Sequence, residues 1–456
     1  MFRFILLLFV PVLVIAQKKP VSKARLVNTA TASRQATITT LSGVRTWSGS
    51  PVPGFILTDR GRSGVYLLDE SDKNTADDGG LTLVTANKLR YKLQHSGEVS
   101  ISQFGCLPND TVDDTQAIQK AVASGVPLTV PNGKFLISSS LLLTNKGDLS
   151  IRGQSKQAIL QMNADKDMFV FTATANGGGV IEISNLTLFA GVNMKEGAAI
   201  NIKGGIQRKV GTINNVDISR PDKNKEWKYG IRVTNPNELV LSNIVISGNN
   251  VEKMVGVEFT CTMAAVSPTL TNIKVYDGLF GFYVRSTTKP GLEGIKLQGC
   301  DFVGVKNGVD VQNTVSPAQY SPPGFQMQQC HINAAEYGIT VNGYTQIEVA
   351  STICYGNGKT TGAGISMKDV SDVKIHNNQI QDVGASAMYG ILLNFGTNER
   401  VNIYNNTLRL GDGNRSGVWL GPGTTKSSIT DNGIEGLKGG SPVTDQGTNN
   451  TVRTNN

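Results

Sequence analysis

From about residue 180 onward the chain repeats, and no other feature restricts its fold as much. A Gly followed by alternating apolar residues recurs as "YGIRV", "VGVEF", "FGFYV", "NGVDV", "YGITV", "AGISM", "YGILL" and "SGVWL". The glycines are Gly230, Gly256, Gly281, Gly308, Gly338, Gly364, Gly390 and Gly417; subtracting successive positions gives 26, 25, 27, 30, 26, 26 and 27. A second marker, apolar-x-Asn-x-x-apolar, carries Asn185, Asn215, Asn243, Asn272, Asn377 and Asn405. Gly299, Gln329, Ser351 and Asp431 hold the same place in other units. Each unit has three short segments whose apolar period is two, the period of a strand. Such a unit cannot bury its apolar face alone, but stacked units share one continuous core. The pattern predicts a parallel β-helix with Asn side chains hydrogen-bonded along one corner. Ile231 and Val233 point inward and Arg232 outward, and likewise in each later coil.

Composition agrees with many short strands joined by turns: 51 Gly and only 17% charged residues. The first residues, "MFRFILLLFVPVLVIAQ", place Arg3 before an apolar run and small residues at Val14 and Ala16. They read as a signal peptide over residues 1–16, cleaved near Ala16. The run is too short for stable membrane insertion, so the expected address is secreted, extracellular or periplasmic. Residues 17–45 read as a polar linker, 46–103 as a small β-rich module, 104–436 as the β-helix and 437–456 as a C-terminal tail. Loss of Arg3 with the signal peptide takes the net charge from +8 to +7. A basic exterior suits an acidic polysaccharide partner, or solubility alone. No motif or row of basic and aromatic residues points to nucleic acid. Five Cys leave no complete disulfide framework. Cys300 and Cys330 fall at inward positions on adjacent coils and would stack as buried thiols or bond, with burial as small apolar residues favoured. Asp77, Asp78, Gly79 and Gly80 read as a turn.

One helix interrupts the β pattern. In "FGCLPNDTVDDTQAIQKAVASG" (104–125), Asp110, Thr111, Asp113 and Asp114 offer N-cap oxygens, and Ala117, Ile118 and Ala121 recur at helical spacing. An open solenoid end exposes apolar side chains and strand edges, so this helix is expected to plug it.

That segment resembles the "FGAxGDGxTDDTxAIQxAL" opening of the pectate-lyase-like right-handed β-helix superfamily. The superfamily includes polygalacturonases, rhamnogalacturonan-cleaving enzymes, uronate epimerases and phage tailspikes. With the Asn-marked coils the resemblance covers about residues 100–436, and residues 46–103 are similar to a module of tailspike-like proteins. It implies a right-handed all-β solenoid with an extended carbohydrate groove. It does not fix the chemistry, since the fold hosts hydrolases, lyases, epimerases and binders. The polygalacturonase pattern of Asn-x-Asp, Asp-Asp, Gly-His-Gly and Arg-x-Lys does not appear as a set among the coils, and the chain has three His: His95, His331 and His376. No catalytic residue is therefore carried over.

The site has to come from geometry. The outward position two residues after each marker Gly holds Arg232, Glu258, Tyr283, Asp310, Thr340, Ser366, Leu392 and Trp419. Glu258 and Asp310, two coils apart, would stand about 9–10 Å apart. An inverting glycosidase needs about 6.5–9.5 Å, and side-chain lean closes the difference. One carboxyl would protonate the glycosidic oxygen and the other activate water. Arg232 and Arg285 would hold an anionic sugar group, with Tyr283 between the acids. Trp227, Tyr229 and Tyr320 are candidates for stacking on sugars, and the loop from Gln312 to Gly324 for a wall. A plain polar face is the alternative for this column. A second outward column, Lys274, Asp301 and His331, offers bases for lyase or epimerase chemistry on uronates, or else a surface charge ladder. No zinc spacing, nucleotide loop or nucleophile elbow is present. No metal ligand set and no cofactor are expected; Ca²⁺ would suit an anionic-sugar site, but no ligand cluster demands it. The readings carried forward are a hydrolase of an extracellular acidic glycan, a lyase or epimerase, and a non-catalytic binding or adhesion solenoid, as monomer or homotrimer.

Overall fold

The computed structural model describes residues 36–453, apart from 144–146, 174–178, 206–208, 250–251, 316–319, 357–361, 382–388, 412–415 and 438. The expected signal peptide and residues 17–35 of the expected linker lie outside the described residues.

Three strands per coil stack in parallel register into a β-helix of about 12 turns. The Gly-led strands form one face. It runs through Phe169–Thr172, Ala198–Lys203, Tyr229–Thr234, Val255–Cys261 and Phe280–Ser286, and ends at Ser441–Asp445. Alternation puts Ile231, Val233, Val257, Phe259, Phe282 and Val284 fully inside. Each such side chain contributes about 1.5–3 kcal/mol by leaving water.

The repeating Gly has a steric cause. A Cβ on Gly256 would sit 2.6 Å from the Gly281 carbonyl oxygen, and one on Gly308 would sit 2.4 Å from that of Gly338. The next rung's backbone passes directly over each glycine.

The Asn corner has a conformational cause. Asn185, Asn215, Asn243, Asn272, Asn377 and Asn405 all have left-handed backbone, with φ between +52° and +56°. Asn tolerates this region because its short side chain bonds locally. Gln329, Ser351, Asp431 and Gly299 share the conformation at the matching position. Asn215 donates to Asn185 at 2.7 Å and Asn272 to Asn243 at 2.8 Å, while Asn243 donates to Asn214 at 3.0 Å. The structure adds a second, internal ladder that the repeat pattern did not announce. Asn378, Asn406 and Asn432 are buried; Asn378 donates to Asn406 at 3.0 Å and Asn406 to Asn432 at 2.9 Å.

The helix spans Thr115–Ala123 and buries Thr115, Ile118, Ala121 and Val122. Gln119 clasps strand Leu141–Leu143, the rung that precedes Phe169–Thr172: its Nε2 donates to the Leu142 carbonyl at 3.1 Å and its Oε1 accepts the Leu142 N–H at 2.8 Å. The acids before it divide their work differently from a simple cap. Asp114 occupies the N-cap without a side-chain cap bond, and Asp113 accepts the Thr115 N–H at 3.0 Å.

Two boundaries differ from the sequence reading. Residues 36–45 are not linker: strand Thr37–Thr39 and helix Leu41–Thr46 belong to the N-terminal module. Its five-stranded sheet also holds Gly54–Leu57, Gly64–Leu68, Arg90–Leu93 and Thr82–Val84, around Val44, Phe55, Tyr66 and Tyr91. Asp59 accepts the Leu41 N–H at 2.7 Å, which ties the helix down. The stretch from 437 is not a loose tail either: Ser441–Asp445 and Thr451–Arg453 add rungs on Ser416–Leu420 and Ser428–Thr430.

Candidate functional site

The register aligns the outward column of the Gly-led face in the expected order. Asn201 pairs with Arg232, Arg232 with Glu258, Glu258 with Tyr283 and Tyr283 with Asp310; Thr340, Ser366, Leu392 and Trp419 follow. Two rungs separate Glu258 from Asp310, about 9.6 Å of backbone. Tyr283 stands between them, stacked on Phe280 with ring centroids 4.7 Å apart. Beyond Ser366 the face turns apolar, where Tyr389 and Phe395 pack on Trp419 at 5.8 and 5.4 Å.

Burial sets the electrostatics. It pushes the Glu258 carboxyl above its ordinary range, with Arg232 and Lys228 pulling the other way. It raises Asp310 too, opposed by a hydrogen bond from the Gln312 amide. Tyr229 and Tyr283 are both raised by burial, then by Glu258 for Tyr229 and by Asp310 for Tyr283. Arg285, exposed on the neighbouring outward column, opposes this rise in Tyr283 through its positive charge.

Other expected residues fare differently. Arg232 is in the column, but its guanidinium donates to Asp167 at 3.1 Å and lies 4.6 Å over the Tyr229 ring. Asp167 also accepts from the Asn201 amide at 2.6 Å and the Ala198 N–H at 2.8 Å. Trp227 does not face the groove. It is 1% exposed, and its indole N–H donates inward to the Leu188 carbonyl at 3.3 Å, so it cannot stack on a sugar. Tyr320 donates its hydroxyl to Glu293 and has the Lys289 ammonium 5.6 Å from its ring. Residues 316–319 of the expected wall lie outside the described residues.

The second column also aligns, Lys274 with Asp301 and Asp301 with His331. Lys274 pairs with Asp301 at 3.1 Å, and His331 lies 3.9 Å from the same carboxylate. The hydrogen bond and charge of Asp301 raise the Lys274 pKa, which favours its cationic form. All five cysteines are free and buried, Cys300 and Cys330 among them. The acids of Asp77–Gly80 close a turn, Asp78 accepting the Gly80 and Leu81 N–H groups at 2.8 Å.

A family model described as rhamnogalacturonase A/epimerase, pectate lyase-like, matches residues 98–310. A second, for a right-handed β-helix region, matches residues 255–456. Together the two models span residues 98–456 and support a pectate-lyase-like right-handed β-helix superfamily. The pre-neck appendage protein of Bacillus phage B103 is 28% identical over 93 residues, 20% of this chain and 11% of that protein. Full-length tailspike protein 2 of the Escherichia coli O157:H7 bacteriophage CAB120 superimposes with a TM-score of 0.57 at 14% identity, over 89% of this chain and 53% of that one. The A-module of the Azotobacter vinelandii mannuronan C-5 epimerase AlgE6 gives 0.54 at 16% identity, over 78% of this chain and 97% of that module. Identities this low show shared fold alone. The chain spans less than two thirds of either phage protein.

Three residues near the acids escaped the sequence reading. Gln312 was legible, lying two positions after Asp310 on the same strand. Lys228, whose charge acts on Glu258, sits just before the strand and outside the repeat. Asp167 lies 65 residues from Arg232, in a turn that carries no marker.

Proposed function

We propose that this β-helix cleaves an extracellular polysaccharide carrying acidic sugars, by hydrolysis between Glu258 and Asp310. The observation that carries the reading is one pair: two half-buried carboxyls, both shifted toward the protonated form, two rungs apart on one face. Their spacing suits attack by a water on the side of the sugar opposite the leaving group, the inverting arrangement. The neighbours support one division of roles. Among the described residues no cation acts on Asp310, only the Gln312 amide, and it is the general acid of this reading. Arg232 and Lys228 favour ionised Glu258, which is the base that activates water. Arg285 supplies positive charge for an acidic substituent. Likeness to a tailspike and to a mannuronan epimerase module supports a polysaccharide, and the phage likeness supports an address outside the cell.

The test is incubation with polygalacturonate, alginate and neutral α-1,3-glucan while reducing ends and unsaturated-uronate absorbance are followed together. New reducing ends without absorbance are expected. Both signals rising would move the chemistry to elimination, with Lys274, Asp301 and His331 in view. A second reading, a tailspike-like binding solenoid working as monomer or homotrimer, is favoured by the appendage-protein match. It expects neither signal, with one glycan still retained.

A further inference from the structure

At the turns that lead into the Gly-led strands lies a polar cavity of about 200 Å³, lined by Asn193, Lys223, Asn224, Glu226, Asn249 and Lys253. We propose that it holds one anionic sugar unit, a uronate-type ring, projecting from the glycan bound along the Gly-led face. The inference rests on the polysaccharide reading and narrows it to a substrate with an acidic ring at a fixed distance from the cleaved bond.

The cavity is built from cross-linked turns. Glu226 is 4% exposed and forms a floor. Its backbone bridges to Asn193, and its carbonyl accepts the Met194 N–H at 2.9 Å. Its carboxylate accepts the Asn249 N–H at 3.0 Å, and the Asn249 amide donates to the Lys223 carbonyl. Three coils are thereby fixed around one space.

The lining chemistry selects the ligand. Three amides both donate and accept, and the Glu226 carboxylate accepts, which matches a ring of hydroxyls. Two ammonium groups match one carboxylate on that ring. A cation would meet two lysines, and a nucleobase would find no aromatic face to stack on. The volume falls below the roughly 300–1,000 Å³ typical of drug-sized ligands, so it suits one ring and not a chain segment.

The cavity also communicates with the acids. Lys228 donates to the Lys253 carbonyl at 2.9 Å, lies 5.8 Å from the Tyr229 ring, and exerts its charge on Glu258. Lys228 thus ties the turn that carries Lys253 to the column that carries Glu258.

Affinity electrophoresis through polygalacturonate, alginate and dextran tests this. Wild-type protein is expected to be retarded by at least one acidic glycan and not by dextran. The Lys223→Ala/Lys253→Ala variant, with unchanged circular dichroism and melting, is expected to bind that glycan at least about tenfold more weakly. Lys225→Ala removes a neighbouring lysine outside the cavity, paired with Asp222 at 3.3 Å, and is expected to stay within about twofold. Equal losses in both variants would overturn the site, because diffuse charge would then explain binding. No retardation of wild-type protein by either acidic glycan would overturn it too. Turnover that depends on Glu258 but ignores the cavity lysines would sink this inference and leave the function standing. Lysine-dependent binding without turnover would do the reverse.

Discussion

At the scale of single residues, the corner and internal Asn ladders differ in what they stabilise. Asn406 is 1% exposed; it donates to the Ile375 carbonyl at 2.9 Å and accepts the Asn378 N–H at 3.0 Å. Asn406→Ala strands those groups and should cost about 2–4 kcal/mol in urea unfolding. Asn272 stands exposed at the corner, so Asn272→Gly keeps the left-handed backbone and should cost less than about 1 kcal/mol. Equal costs would mean the internal ladder has no special weight. Asp114 gives a pH dependence. Burial first, then the charge of Asp110, raises it from 3.8 to about 6. A carboxyl raised on folding stabilises below about pH 4, and that stability is lost as pH rises through about 6, roughly 3 kcal/mol in all. Asp114→Asn should therefore gain stability over wild type at pH 8 and little at pH 4. The same difference at both pH values would contradict the burial assignment.

At the scale of elements, the Gly-led strand explains its own signature. A Cβ on Gly281 would lie 2.5 Å from the Phe302 ring and 2.7 Å from the Gly308 carbonyl oxygen. Gly281→Ala should lose about 1–3 kcal/mol, whereas Gly433→Ala, with open space around it, should stay within about 0.5 kcal/mol. Thermal melts of the two variants decide. This is also why the fold was legible before the structure: stacked rungs impose the same steric demand every coil, so it is written as a period. Arg232, Glu258, Tyr283 and Asp310 could be aligned from the marker Gly alone for the same reason. Trp227 could not be placed, because it lies in a turn where alternation carries no information and its indole found an inward carbonyl. Asp167 stayed invisible because its link to Arg232 crosses coils through a turn. Strand Thr37–Thr39 and helix Leu41–Thr46 were too short to show a period in a Ser/Thr-rich stretch.

At the scale of the molecule, the β-helix supplies a long face on which outward side chains are placed by register and not by loops. Its tiers grade from Arg232 and the acids to the apolar cluster at Trp419. On the proposed mechanism the acid limb of the pH–rate profile belongs to Glu258 and the alkaline limb to Asp310. The central claim is tested most directly by measuring turnover and retention together for wild type, Glu258→Gln and Asp310→Asn on whichever glycan releases reducing ends. A fall of about 10²–10⁴-fold in turnover with retention intact is the expected result for each variant. Full turnover in both would show that these carboxyls do not carry the reaction.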